Sequence, residues 1–211
     1  MNKKQKVMNI IEQLEIMYPH ADCSLDYQDP VQLMVATQLA AQCTDARVNI
    51  VTKELFKKYK SVDDYANANL QELEQDIKST GFYHNKARNI IAACRMIIDV
   101  FERNVPSDMD SLLMLPGVGR KTANLILNDW FGVPGVVVDT HAKRLANRMG
   151  LTENSDPEKI EYDLMKIIPK EKWGRFCHQL VFHGRAVCTA RKPMCEKCGI
   201  LPFCKFGSAN K

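Results

Sequence analysis

No stretch of this 211-residue chain approaches the roughly 20 consecutive apolar residues needed to cross a bilayer. A membrane-spanning role is therefore not expected. The first residues, MNKKQKVMNIIEQLE, carry lysines but neither an uninterrupted apolar core nor a small-residue cleavage site. They read as the start of an amphipathic helix, not as a signal peptide. Tandem repeats and low-complexity tracts are missing too, so a solenoid is not expected. β-like patterning is scarce. Phe131-Gly-Val-Pro-Gly-Val-Val-Val-Asp139 is the one such stretch, too isolated to build a sheet, and it reads as an extended crossover.

What is present points to a soluble globular protein. Hydrophobic residues make up 45% and charged residues 26%, which is ordinary for that class. A cytoplasmic location is expected, where thiols stay reduced. Helical periodicity runs through most of the chain. Residues 3–17 place Val7, Ile10, Ile11 and Leu14 on one face, and Pro19 stops that helix. Pro30 opens a second helix. Thr44 or Asp45 caps a third, which runs to about Tyr59. Further helices are expected over 69–79, 84–103, 108–114, 119–130, 140–149, 157–168 and 171–187. The fold class is all-α, with two helical domains. One covers 22–132; the other joins 1–21 to 133–211.

Four of the eight cysteines, Cys188, Cys195, Cys198 and Cys204, sit within 17 residues at the spacing C-x6-C-x2-C-x5-C. Thiolates this crowded are a ligand set for an iron–sulfur cluster or a zinc ion. Zinc ribbons usually pair two C-x2-C units, whereas this segment has one, so the chemistry alone leaves both metals open. Cys23, Cys43, Cys94 and Cys177 are scattered and read as core or idle thiols. The ligand segment is basic. Residues 170–211 hold nine Lys/Arg against two Asp/Glu, which suggests a face for a polyanion or, more plainly, a solvated basic tail.

Leu115-Pro-Gly-Val-Gly-Arg-Lys-Thr-Ala123 lies between two helical segments. Gly117 and Gly119 permit a tight turn with positive φ and close approach by another backbone. Their N–H groups, with the N-terminus of the following helix, form an anion site. A Walker A loop needs different glycine spacing after a strand, so this is not one. The nine residues look like a helix-hairpin-helix motif, which holds a DNA backbone without reading bases. The plainer alternative is an ordinary helix–helix turn.

The hairpin, the segment Val138-Asp139-Thr-His-Ala-Lys-Arg144 and the four-cysteine pattern occur in that order. Together they resemble the endonuclease III family of bifunctional DNA glycosylase/lyases of base-excision repair. The likeness extends from Ala41-Gln42 to Cys204. It implies a DNA cleft between the two domains, a [4Fe–4S] cluster on the four cysteines, and action as a monomer on double-stranded DNA in the bacterial cytosol or nucleoid. It also implies that oxidised pyrimidines are removed. An adenine glycosylase of this superfamily would carry glutamate near Thr37 and lack the lysine at 121; mismatch-specific thymine glycosylases often have tyrosine there.

The positions matching the family's catalytic pair are Lys121 and Asp139. Lys121 falls on the first turn of a helix beside Arg120, where the positive helix end favours the neutral, nucleophilic amine. By itself it also reads as a phosphate contact. Asp139 stands at an N-cap, and by itself reads as only a cap. The intervening helix spans about 18 Å at ~1.5 Å per residue. The returning segment can reach roughly 26 Å, so the chain can bring the pair together. Gln42 matches the gap-filling glutamine, and also reads as a helix-surface residue. Phe82 matches a wedge position where leucine is usual; core packing is the other reading. His141 reads equally as a DNA contact or a structural histidine. Leu115, Gly117, Gly119 and Arg120 complete the expected hairpin contacts. Arg191 and Lys192 complete the expected phosphate contacts on the cysteine loop.

Overall fold

Start and stop signals dictate most of the helices, and side-chain caps are visible at most of their N-terminal ends. In the computed structural model, which describes residues 2–209, α1 spans Lys3–Met17 with Asn2 accepting a hydrogen bond from the Gln5 N–H. Asp29 caps α2, Pro30–Leu39, with Pro30 in the first turn. Thr44 caps α3, Asp45–Lys58. Then follow α4 (Val62–Ala66), α5 (Leu70–Asp76), a 3-10 turn at Lys78–Thr80, and α6 (Tyr83–Val100). The chain continues through α7 (Met109–Met114) and α8 (Arg120–Asp129). After the crossover come α9 (Thr140–Met149), α10 (Pro157–Ile167), α11 (Trp173–Ala186) and α12 (Lys205–Ala209). The described residues contain no strand, so the fold is all-α. None of its helices is long and apolar enough to cross a membrane.

Three elements differ from the periodicity-based expectation: α4 and α12 lie outside it, and α6 is shorter. The short helix α4 has too few residues to show a period; a capping box between Ser61 and Asp64 defines it. Helix α6 ends at Val100, earlier than expected. Glu102 and Arg103 adopt left-handed φ values of 49° and 66°, and the Phe101 and Arg103 N–H groups both return to the Ile97 carbonyl. Arg103 then pairs with Asp63 at 3.3 Å, tying this end to α4.

The chain divides into two compact units, Cys23–Val133 and Met1–Asp22 with Pro134–Lys211. In the first, α2 packs on α3, α6 and α8, and α6 also packs on α4 and α5. One continuous apolar core fills this unit, with Leu33, Met34, Leu39, Ile90, Ile97 and Ile126 fully buried. Each such side chain contributes about 1.5–3 kcal/mol by leaving water. In the second unit α9 packs on α10, α11 and α12, and α1 packs on α10 and α11. Val7, Ile10, Ile11 and Leu14 form the buried face of α1. A Lys172–Glu15 ion pair at 2.6 Å adds a surface link in this unit.

Candidate functional site

In the unit Cys23–Val133 the hairpin is a closed turn. The Leu115 N–H donates to the Leu112 carbonyl at 3.1 Å, and the Val118 N–H donates to the Leu115 carbonyl at 3.0 Å. The Leu115 side chain is only 2% exposed. This side chain is core, and the residue's main-chain groups are used inside the turn.

The two glycines differ. Gly117 has φ +77°, and a Cβ there would meet Asn89 Cβ and Gln38 Oε1 at 2.8 Å each. Both backbone and space thus demand glycine. Gly119 has φ −95°, and a Cβ there would meet nothing within 4 Å. The expected left-handed turn is present at Gly117 alone. Gly119 N-caps α8 without a side chain, so no side-chain cap covers the N–H groups of the first turn. Lys121 is exposed in that turn, and makes no hydrogen bond or ion pair among the described residues. Ala123, Asn124, Ile126 and Leu127 turn inward and fix the helix.

Two more expected contacts sit on turns of the same unit. Gln42 is exposed with φ 55°, and Phe82 with φ 49°. Left-handed backbone costs an L-residue roughly 1–2 kcal/mol. Phe82 is 63% exposed at the N-cap of α6, so it is not a core residue. Thr37 is buried, and its hydroxyl donates to the Leu33 carbonyl at 2.6 Å.

In the other unit, the buried run Val136–Val138 delivers Asp139 to the N-cap of α9. Asp139 Oδ1 accepts from the Ala142 N–H at 2.7 Å. His141 is half-buried against Gly184, and its Nδ1 lies 3.1 Å from Arg144 Nη2.

The four cysteines line one pocket, part of it open to solvent. Burial pushes the Cys198 thiol up to about 11 and raises that of Cys195. Residues beyond the expected set hold this segment. Arg148 donates to Cys188 Sγ at 3.3 Å, to the Thr189 carbonyl at 2.7 Å and to the Ala190 carbonyl at 2.8 Å. Arg144 donates to the Gly184 and Cys188 carbonyls, both at 3.1 Å. His183 is fully buried, with Nε2 3.4 Å from Cys198 Sγ and Nδ1 3.0 Å from the Tyr18 hydroxyl. Burial brings its pKa down to about 4, so the ring is neutral at pH 7. Arg144 and Arg148 stand one helical turn apart after Asp139, a spacing that could have flagged them. Nothing local singles out His183 or Tyr18. Arg191 and Lys192 are exposed, and the Thr189 hydroxyl donating to the Lys192 carbonyl at 2.7 Å closes their loop.

Comparison with known proteins gives this geometry its family. Residues 35–170 match the HhH-GPD superfamily of base excision DNA repair proteins. An endonuclease III of Synechocystis sp. is 52% identical over 99% of this chain and 96% of its own length. An endonuclease III of Bacillus subtilis is 48% identical over 93% of this chain and 90% of its own length. A solved structure of a trapped endonuclease III–DNA covalent intermediate, 46% identical, superposes with a TM-score of 0.95 over 100% of this chain and 99% of that one. The chain is a DNA glycosylase of base excision repair and belongs to the endonuclease III family.

Proposed function

We propose that this protein is a bifunctional DNA glycosylase and abasic-site lyase, that it acts as a single chain on duplex DNA, and that its substrates are oxidised pyrimidines. The placement of Lys121 carries the reading. An exposed amine free of internal partners stands on the first turn of α8, two residues after a helix N-cap that has no side chain. That helix end suits a DNA phosphate. Glycine at 119 is not required by anything inside the chain, and it leaves room for an incoming backbone. A neighbouring solved structure is a trapped covalent intermediate with DNA, which agrees with a nucleophilic side chain in this family.

The damaged nucleotide leaves the stack, because C1′ is not reachable within it. Gln42 and Phe82 fill and wedge the gap. The Lys121 amine attacks C1′, the C1′–N bond breaks, and the base departs with the bonding pair and takes up a proton. Asp139 stabilises positive charge developing on the sugar or assists proton transfer. One of its carboxylate oxygens is held by the α9 cap, which orients the group. The sugar ring then opens: the C1′–O4′ bond breaks, the amine nitrogen sheds a proton, O4′ takes one up, and the C1′=N Schiff base that forms makes the 2′ proton acidic. Its loss expels the 3′ phosphate by β-elimination, and hydrolysis frees Lys121. Gly117, Gly119 and Arg120 at the hairpin, His141 on α9, and Arg191 and Lys192 on the cysteine loop supply backbone contacts.

Cys188, Cys195, Cys198 and Cys204 would hold a [4Fe–4S] cluster, whose contribution is to cross-link the loop. The donor set fits that group. The four thiols line one pocket, and four cysteine thiolates are the ligand set that such a cluster takes. Four thiols left free to ligate accord with a cytoplasmic protein.

A panel of duplexes bearing thymine glycol, an adenine mispair or an abasic site, each treated with borohydride, tests the proposal. We expect a covalent adduct on the thymine glycol and abasic duplexes, and its disappearance in Lys121→Ala. Undiminished trapping by that variant would remove Lys121 as the nucleophile. Base release without an adduct would point to a purely hydrolytic glycosylase.

A further inference from the structure

Lys86 is the only buried lysine among the described residues, at 6% exposure. Its Nζ donates to the Leu39 carbonyl and to the Thr80 carbonyl, both at 2.8 Å. Burial lowers its pKa, with Cys43 opposing that shift. Both carbonyls close helical segments: Leu39 is the last residue of α2, and Thr80 the last of the 3-10 turn before α6. Helix C-termini carry partial negative charge and unpaired carbonyls. One ammonium therefore caps two helix ends from different parts of the chain.

Just beyond each cap the backbone turns through a non-glycine residue in the left-handed region. These are Gln42, with φ 55°, and Phe82, with φ 49°. Strained backbone of this kind persists only where its surroundings hold it firmly. Lys86 is a shared hold on both turns.

We propose that Lys86 is a positioning residue, a strut that keeps the Gln42 and Phe82 turns at one fixed separation so that both side chains enter the duplex together. The proposal rests on the reading of Gln42 and Phe82 as DNA contacts. Its physical basis is that wedge and gap-filler must reach a single base step, and small misplacements of working groups are costly.

The test uses the full chain and a thymine glycol duplex with 2-aminopurine beside the lesion to report extrusion. Lys86→Met keeps the stem and removes both hydrogen bonds. We expect its kcat for excision and its extrusion signal to fall about tenfold, while affinity for undamaged duplex changes less than about threefold. Amide exchange should quicken at both turns. Combining Lys86→Met with Phe82→Ala should cost less than about threefold beyond Phe82→Ala alone, because paired entry is already lost. Unchanged excision by Lys86→Met, faster exchange at only one turn, or fully multiplicative losses would overturn the strut. Wild-type excision by both Gln42→Ala and Phe82→Ala would instead overturn the contact reading beneath it. Should Lys86→Met not fold, Lys86→Gln, which retains donors but not the reach, is judged by the same readouts.

Discussion

Around the hairpin, Leu112, Leu115, Val118, Ala123 and Ile126 are all buried, whereas between Cys188 and Cys204 only Ile200 and Cys204 are. Both segments present cations, but they are anchored by different physics. The hairpin is seated in the apolar core of its unit. Leu112, Leu115, Val118 and Ile126 each contribute on the order of 1.5–3 kcal/mol on burial. The cysteine loop rests on hydrogen bonds from Arg144, Arg148 and His183, worth roughly 0.5–1.5 kcal/mol net apiece. Its four thiols line a cavity instead of packing on one another. One segment is held by its own carbon. The other, if the proposed cluster is bound between its sulfurs, draws folding free energy from that ligation.

The sharpest way to break this contrast is to remove the proposed cluster. Cys198→Ser, or cluster stripping by oxidation and chelation, should make residues 188–204 protease-sensitive about tenfold sooner while Cys23–Val133 stays protected. Limited proteolysis read by mass spectrometry decides it. Simultaneous loss of protection across both regions would show that the two anchors are not separate.

Within the hairpin the two glycines provide a second contrast. Gly117→Ala meets both positive φ and contacts at 2.8 Å, and should cost about 2–4 kcal/mol in urea denaturation. Gly119→Ala should stay within about 0.5 kcal/mol, because open space surrounds it. Its expected cost lies in duplex affinity, about tenfold. Equal destabilisation by both would contradict the assignment of Gly119 to an external partner.

The smallest effect concerns the loop's cations. Arg148→Met leaves two carbonyls and one sulfur without their donor. We expect about 1–2 kcal/mol of lost stability on thermal melting. Arg191→Ala, at an exposed position, should leave melting unchanged and lower the salt dependence of duplex binding by about one phosphate. A loop whose melting responds to Arg191 but not to Arg148 would reverse these roles.

Much of the all-α architecture was legible before any coordinates. Asn2, Asp29, Thr44 and Asp139 each accept from an N–H of the helix they precede, and such caps act over a few residues. The buried faces of α1 and α6 follow from spacing for the same reason. Helix α4 escaped because its five residues are too few to show a period. The exposure of Phe82 was undecidable locally, since an aromatic residue beside a glycine suits a core or a wedge equally. The burial of the Leu115 side chain was not legible, because a motif position marks a turn without saying which of its residues face outward.

The sequence by itself determined the helices, the hairpin, the grouping of four thiols and the family they resemble. All of these depend on neighbours along the chain or on the order of motifs. The tertiary structure decided which glycine is strained, that Phe82 points to solvent, that Lys86 grips two distant helix ends, and that Arg148, His183 and Tyr18 form part of the thiol site's surroundings. Those contacts join residues far apart in the chain, and no local spacing specifies them. They arise only when burial of the apolar faces brings the helices together and each buried polar group must find a partner.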